Sequence, residues 1–112
     1  DINNALKVLN SNGVILIHDC LPNNLTDQLV PRMTLNWNGD VWKALVECRT
    51  KSNLDCYTCY ADWGIGVIFK RKNSNLLTIE QKNFKKLKYN FFFNNYKKLM
   101  NIIEFDDLLK KF

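Results

Sequence analysis

The sequence contains no long apolar run, few glycines and prolines, and a single histidine. No stretch approaches the roughly 20 apolar residues of a membrane-spanning helix, and no signal-peptide pattern opens the chain. The four cysteines do not form the dense framework of a small secreted protein, so we interpret them as reduced thiols. These absences predict a cytoplasmic protein without a membrane span.

The length limits the number of domains. At 112 residues, of which 46% are hydrophobic, the chain can build one small core. It begins at Asp1 without a methionine, and its first residues have the pattern of the middle of a helix. We therefore expect residues 1–112 to form a single partial domain of a longer protein.

Charge is distributed unevenly along the chain. Residues 1–69 contain five Lys/Arg and seven Asp/Glu, whereas residues 70–112 contain eleven and four. The basic segment KKLKYNFFFNNYKK could contact nucleic acid, because lysines neutralise phosphates and aromatic rings stack on bases. Lysines on the solvated face of helices produce the same pattern. We favour solvated helices and expect no nucleic-acid partner.

Apolar spacing predicts a helix and then a buried strand at the start of the chain. Ile2, Ala5, Leu6 and Leu9 recur at the spacing of one helical face, so a first helix should end at about Leu9. Residues 14–17 are apolar without alternation, which is typical of a strand covered on both faces. We therefore predict an inner, parallel strand here.

A long loop and a second helix should follow. Residues 20–38 contain both prolines and several asparagines, which favours a loop. Asp40 stands at the position of a helix cap or first-turn acid, and Val41, Leu45 and Cys48 give one face at helical spacing.

The next segment has the pattern of a hairpin. LDCYTCYA and IGVIFKR are rich in β-branched, aromatic and aliphatic residues and are separated by Asp-Trp-Gly at 62–64. Cys56 and Cys59 form a CxxC pair, but residues three apart on a strand face opposite sides, and no second pair follows at usable spacing. Ordinary buried thiols are therefore favoured over a zinc or redox site.

The remainder of the chain is predicted to be helical. Thr78 and Gln81 have capping-box spacing and should open a helix. The apolar face of that helix should consist of Phe84, Leu87 and Phe91. Two further helices are expected at about residues 96–103 and 106–111.

The apolar strand leads directly into His18 and Asp19. In an open α/β sheet, ligands bind at the carboxyl ends of the strands, so these two residues are candidate catalytic groups. Adjacent strand residues point to opposite faces, and the two can share a site only if the strand has ended before them. The alternative is structural: a hydrogen-bonded histidine at a strand end and an aspartate that accepts loop N–H groups.

A second candidate cluster follows the long loop. Trp37, Asn38, Asp40 and Lys43 place an aromatic ring beside short polar groups, which suits the binding of sugars and other polyhydroxylated molecules. The alternative is that Trp37 and Trp42 pack the helix against the sheet while Asp40 caps it. We predict a substrate-binding role for the first four residues.

Three motifs resemble a known family. HDCLP, WNGDVWKA and DWGIGVI are similar to the C-terminal half of class I S-adenosylmethionine-dependent methyltransferases of the kind found among bacterial surface-polysaccharide genes. The resemblance implies the C-terminal half of a Rossmann-like sheet, with the last strand of an antiparallel hairpin inserted between its predecessor and the other strands. Residues 1–72 would form this half-sheet, and residues 73–112 a helical tail.

The resemblance also implies S-adenosylmethionine as cofactor in the full-length protein. The family builds its cofactor site on a glycine-rich turn after the first strand, and none of the four glycines here makes such a turn. We therefore expect the cofactor-binding residues to be absent from this chain and the fragment alone to be inactive.

The resemblance bears on a metal ion as well. Related metal-dependent O-methyltransferases place a metal-binding aspartate at the strand end that Asp19 occupies. Those enzymes usually follow it with a second acid or an asparagine, whereas Cys20 follows here, so a divalent metal stays open. His18 would be the alternative base, since the ordinary pKa of histidine lies near neutrality.

The resulting prediction is the C-terminal portion of a methyltransferase that acts on a small polar or glycan-linked acceptor. The alternatives are a non-catalytic interaction module that keeps the half-sheet, and a basic nucleic-acid-binding segment. An exposed strand edge at residues 14–17 also predicts that the fragment alone self-associates.

Overall fold

A three-stranded antiparallel sheet forms the centre of the structure, a computed structural model that describes residues 2–112. In chain order, the α-helices and strands are α1 (Ile2–Val8), β1 (Val14–Ile17), α2 (Val41–Arg49), β2 (Asp55–Cys59), β3 (Ile65–Phe69), α3 (Tyr89–Leu99) and α4 (Phe105–Leu109). Two short 3₁₀ helices, Thr26–Gln28 and Phe84–Lys86, lie in the connecting segments. Within residues 2–112, none of the helices is both long enough and apolar enough to cross a membrane.

The strand order is β1-β3-β2, so the strand that comes last in the sequence lies in the centre. Val67 of β3 pairs with Leu16 on one side and with Tyr57 on the other, and both ladders are antiparallel. The predicted hairpin is confirmed, as are the first two helices. The predicted parallel pairing of residues 14–17 is not found in the described sheet, where β1 is antiparallel to β3, and the outer edge of β1 is unpaired there, as predicted for this chain alone.

The apolar side chains of β1 could not predict whether the strand is parallel or antiparallel to its neighbour. An unbroken apolar run indicates apolar contacts on both faces and carries no information about the direction of the neighbouring strand. Coverage is also incomplete, because Leu16 is 66% exposed. The outer edge of β2 is partly covered by a bridge from Thr58 to Ile102, whereas no strand within residues 2–112 pairs with the outer edge of β1.

The sheet separates a larger core from a smaller one. On one face, Cys56 and Ile68 pack with Trp42 and Leu45 of α2. On the other face, Tyr57, Cys59, Val67 and Phe69 pack with Leu108 of α4. Cys56 and Cys59 therefore face opposite sides, as predicted, and all four cysteines are free and buried. Burial raises the pKa of the Cys56 thiol to about 12, which makes it inert near neutral pH.

A buried arginine joins α2 to the end of α3. Arg49 is 1% exposed. Its guanidinium donates to the carbonyl of Leu99 at 3.2 Å and of Lys98 at 2.8 Å, and also to the carbonyl of Asn75. The final carbonyls of a helix carry partial negative charge, so they compensate a buried cation that has no carboxylate partner within residues 2–112.

A buried carboxylate joins β2 to the segment after β3. Asp55 accepts hydrogen bonds from the Tyr57 hydroxyl at 3.1 Å, from the Ser74 N–H at 3.1 Å and its hydroxyl at 2.7 Å, and from Arg71 Nε at 2.9 Å. Burial alone would raise the pKa of Asp55, but the hydrogen bonds from Ser74, Arg71 and Tyr57 outweigh it and lower the pKa. We call these four residues the Asp55 network.

The capping box predicted at Thr78 and Gln81 does not form, and α3 begins only at Tyr89. Leu77 and Ile79 are buried while Thr78 and Glu80, which alternate with them, are exposed, and this is the pattern of an extended segment. The Leu77 N–H donates to the carbonyl of Arg49 at 3.0 Å. Packing of this extended segment against α2 therefore overrides the local helix signal.

Candidate functional site

His18 lies between two carboxylates just beyond the end of β1. Its Nδ1 is 3.0 Å from Oδ1 of Asp19, and its Nε2 is 2.9 Å from Oδ2 of Asp62. The strand ends at Ile17, and Asp19 has a left-handed φ of 64°, so the alternation of side chains no longer separates His18 from Asp19. We call His18, Asp19 and Asp62 the His18 cluster.

The hairpin turn delivers Asp62 to this cluster. Asp62, Trp63 and Gly64 all have positive φ angles, and the loop after β1 bonds to the turn. The Cys20 N–H donates to the carbonyl of Gly64 at 2.9 Å, and the Leu21 N–H to that of Trp63 at 2.8 Å. A Cβ on Gly64 would lie 2.6 Å from the Leu21 nitrogen, so only glycine permits this close approach.

The two carboxylates favour a protonated histidine. Hydrogen bonds to Asp19 and then to Asp62 raise the pKa of His18 above its ordinary value. A neutral imidazole has one N–H donor, whereas the imidazolium has two and can donate to both carboxylates at once. A histidine that holds both protons cannot accept another, so in that state the carboxylates are the proton acceptors of this cluster.

Asn38 is also brought to the cluster. Its Nδ2 donates to Oδ1 of Asp19 at 3.1 Å, and its main-chain N–H donates to the carbonyl of Asp27 at 2.8 Å. Its side chain is buried, and within residues 2–112 its Oδ1 has no hydrogen-bond partner. The sequence analysis placed Asn38 in the second candidate cluster, apart from His18 and Asp19. In the structure its side chain bonds directly to Asp19.

The other three predicted substrate-binding residues have different neighbours. The Trp37 indole N–H donates to the carbonyl of Leu29 at 2.6 Å. Lys43 Nζ lies 3.8 Å from Asp40 and donates to the carbonyl of Lys85 at 3.2 Å. Asp40 occupies the N-cap position of α2, as predicted, but its side chain makes no capping hydrogen bond to the helix. In the described part of the chain, none of the three bonds to the His18 cluster.

A cavity of about 470 Å³ adjoins the cluster through the hairpin turn. Its lining comes from the loop after β1, the turn and α3, namely Leu21, Pro22, Asn23, Tyr60, Trp63, Gly64, Tyr89, Phe92, Phe93 and Tyr96. We call this the aromatic cavity. Trp63 follows Asp62 directly, so the turn that closes the cluster also supplies a wall of the cavity.

The aromatic cavity and Asp62 were not predicted from the sequence. Tyr89, Phe92, Phe93 and Tyr96 recur at i, i+3, i+4 and i+7, which marks one helical face and could have identified the α3 wall. The predicted face at Phe84, Leu87 and Phe91 came from the misplaced start of the helix. Asp62 carries no local signal, because its contact with His18 depends on the strand order.

The cluster does not have the donor arrangement of a metal site. Within residues 2–112, no group of three or more His, Cys, Asp or Glu side chains is placed to hold a metal ion. Both ring nitrogens of His18 already contact carboxylates, and these hydrogen bonds raise its pKa, so a metal would have to displace a favoured proton. We therefore derive no step through a metal.

No protein-family model, curated protein or solved structure matches this chain.

Proposed function

We propose that this chain is the C-terminal portion of an S-adenosylmethionine-dependent methyltransferase that acts on a small polar or glycan-linked acceptor. The observation that carries the proposal is the meeting of His18, Asp19 and Asp62 at the carboxyl end of β1, beside the aromatic cavity. Bound S-adenosylmethionine would supply the methyl group, and the residues that hold it would lie in sequence outside this chain. The role of the chain is to bind the acceptor and take its proton.

The strand order supports the proposal. The resemblance implies a hairpin whose second strand lies between its first strand and the remaining strands. In the described sheet, β3 lies between β2 and β1 and is antiparallel to both. Three antiparallel strands occur in many folds, so the strand order supports only the proposed fold. The proposed activity is argued from the His18 cluster.

The hydrogen bonds of Asp19 point to one oxygen as the base. His18 Nδ1 and Asn38 Nδ2 both contact Oδ1, which leaves Oδ2 of Asp19 able to accept a hydrogen bond from an acceptor hydroxyl. As the hydroxyl oxygen takes the methyl group, its O–H bond would break and the proton would pass to Oδ2, while the bond from the methyl carbon to the sulfonium sulfur would break and leave a neutral thioether. His18 holds the carboxylate in place through the contact of its Nδ1 with Oδ1.

The same hydrogen bonds also favour a structural alternative. His18 joins the loop after β1 to the hairpin turn, which could serve only to fix the two segments in a non-catalytic module. The two roles make opposite predictions for a variant that keeps the shape of Asp19 and removes its charge.

The test is Asp19→Asn in the full-length protein that contains this chain. Turnover is measured with methyl-labelled S-adenosylmethionine and a panel of hydroxylated small molecules and methyl glycosides, and the melting temperature is measured on the same preparation. We expect turnover to fall by about 10²-fold or more, because the variant lacks a base, with little change in melting temperature.

Asp107→Asn is the matched control, since Asp107 is an exposed aspartate of α4 with a single lysine contact. It should leave both quantities unchanged. Normal turnover in Asp19→Asn with a lowered melting temperature would remove Asp19 from catalysis and support the structural alternative.

A further inference from the structure

We infer that the aromatic cavity binds a neutral sugar ring, with the faces of Trp63 and Phe93 against the C–H groups of the ring. The statement that this sugar is the methyl acceptor rests on the proposed function. The binding itself does not, because it depends only on the cavity.

The first support is the composition of the cavity walls. Tyr89, Phe92, Phe93 and Tyr96 form a continuous wall on α3, with ring centroids 5.7 Å apart for Tyr89 and Phe92 and 6.0 Å apart for Phe92 and Tyr96. Trp63 belongs to the hairpin turn and lines the same cavity. Aromatic faces are suited to the apolar C–H face of a sugar ring, which has hydroxyls around its edge.

The second support is the absence of charge. None of the residues that line the cavity within the described chain is charged. Its polar side-chain groups are the hydroxyls of Tyr60, Tyr89 and Tyr96, the amide of Asn23 and the indole N–H of Trp63. The Tyr96 hydroxyl raises the pKa of Tyr60, and burial raises that of Tyr89, so both hydroxyls stay neutral near pH 7. Neutral donors and acceptors match sugar hydroxyls and do not compensate a phosphate or carboxylate.

The third support is the conformation of Trp63. It has a φ of 63°, which is rare for a bulky residue and costs free energy, and it remains 39% exposed. The Leu21 N–H holds it there by donating to its carbonyl at 2.8 Å. A strained, exposed aromatic ring gains little from burial in the protein itself, whereas a ligand stacked on it would remove apolar surface from water.

The size of the cavity agrees with this class of ligand. A volume of about 470 Å³ is within the range of roughly 300–1,000 Å³ found for small-molecule sites. The cavity is bordered by the turn that carries Asp62, so a sugar hydroxyl directed toward the turn would approach the His18 cluster.

The experiment is saturation-transfer NMR on the full-length protein with methyl glycosides of glucose, galactose, mannose and N-acetylglucosamine at millimolar concentration. Choline and phenol are tested alongside, because an aromatic cage can also hold an ammonium ion or a flat aromatic ring. We expect at least one glycoside to receive saturation at its ring C–H protons, and choline and phenol to receive none. No cofactor is needed for this measurement.

Two variants locate the binding, and one variant is the control. Trp63→Ala and Phe93→Ala should each raise the Kd of the bound glycoside by about three- to tenfold, the loss expected for one stacked ring. Phe105→Ala should leave it unchanged, since Phe105 is 61% exposed, close to the 63% of Phe93, and lies outside the cavity. Melting temperatures show whether each variant is folded.

Each result decides the inference. Absence of saturation transfer to every glycoside, transfer to choline or phenol alone, or equal weakening by Phe105→Ala would overturn it. Glycoside binding that Trp63→Ala and Phe93→Ala weaken supports it even if no methyl transfer occurs, in which case only the proposed function fails. Methyl transfer to an acceptor that neither variant affects would leave the proposed function standing and refute the identification of the bound sugar as the methyl acceptor.

Discussion

The Asp55 network and the His18 cluster both combine carboxylates with nitrogen donors, but they differ in how much of their bonding capacity is used. Asp55 is buried, and its two oxygens accept four hydrogen bonds. Asp19 is partly exposed, and the contacts with His18 and Asn38 use one oxygen. A saturated carboxylate can hold elements together but cannot bind anything further, whereas an unsaturated one at the surface can take a ligand or a proton.

The two sites also bias protonation in opposite directions. The hydrogen bonds to Asp55 favour its ionised form and lower its pKa, while the carboxylates beside His18 favour the imidazolium and raise its pKa. Stability should therefore depend on pH through both sites, in different ranges and with different signs.

The largest effect is expected for Arg49→Met, which removes another buried charge. The methionine keeps much of the length and apolar contact of the side chain but leaves the carbonyls of Asn75, Lys98 and Leu99 without this donor. We expect a loss of about 3 kcal/mol in the free energy of unfolding, measured by urea denaturation.

Arg32→Met is the control for this variant. Arg32 is exposed and donates to the carbonyls of Thr34 and Leu35 within its own loop. A change within about 0.5 kcal/mol is expected there. If the two substitutions lower the free energy of unfolding equally, the buried Arg49 contributes no more to stability than the exposed Arg32.

Asp55→Asn should lower stability by about 1–3 kcal/mol at pH 7, because an amide cannot accept all four hydrogen bonds. The pKa of Asp55 is lower in the folded state, so its contribution is fully present above the unfolded pKa of about 4 and is lost as pH falls through the folded value. The variant should therefore differ from the parent at pH 7 and approach it in strong acid. A difference in the free energy of unfolding that does not change with pH would contradict this role of the Asp55 carboxylate. Asp106→Asn, at an exposed position of α4, is the control.

A smaller effect is expected at His18, and it has the opposite sign. Because the folded pKa is raised, the contribution of His18 is fully present below the ordinary value of about 6.5 and is lost as pH rises through the folded pKa. His18→Asn should lower the melting temperature at pH 5.5 and have little effect at pH 9.

NMR titration of the chain's only histidine measures this shift directly. The imidazole C–H signals should titrate above the ordinary value, and Asp62→Asn should move the midpoint back toward it. A midpoint at or below the ordinary value would show that the two carboxylates do not hold the proton.

The smallest effect on stability is expected for Leu16→Lys. Leu16 lies on β1, the edge strand whose outer side is unpaired in the described sheet, and it is 66% exposed. Its replacement should therefore change the free energy of unfolding by about 0.5 kcal/mol or less. A lysine on an edge strand opposes pairing with another strand, so self-association of the 112-residue chain should weaken, as measured by analytical ultracentrifugation. Leu35→Lys changes an exposed leucine outside the sheet and should leave association unaltered; if it weakens association equally, the edge of β1 is not the contact.

Local patterns predicted the local elements. The helical spacing of Ile2, Leu6 and Leu9 and of Leu45 and Cys48 identified α1 and α2, and the run of strand residues around residues 62–64 identified the hairpin. These signals succeed because each element's apolar face is encoded within a few residues.

Features that depend on distant residues were missed. The capping box at Thr78 failed because the extended segment that contains it packs against α2 through Leu77, a contact that the local sequence does not encode. His18 and Asp19 were chosen as candidates because they follow the apolar strand in sequence. Asp62 was not predicted, because its contact with His18 depends on β3 lying beside β1. Trp37 and Lys43 are near Asn38 in sequence, yet only Asn38 bonds to the cluster.

The central position of β3 also has a consequence for synthesis on the ribosome. β1 and β2 are made first, but neither pairs with the other, and both ladders require residues 65–69. Within residues 2–112, the two earlier strands therefore have no sheet partner until β3 leaves the ribosome, and the apolar side chains that β3 covers stay accessible to chaperones and to other nascent chains until then. His18 and Asp62 can meet only at that stage, so formation of the cluster reports closure of the sheet.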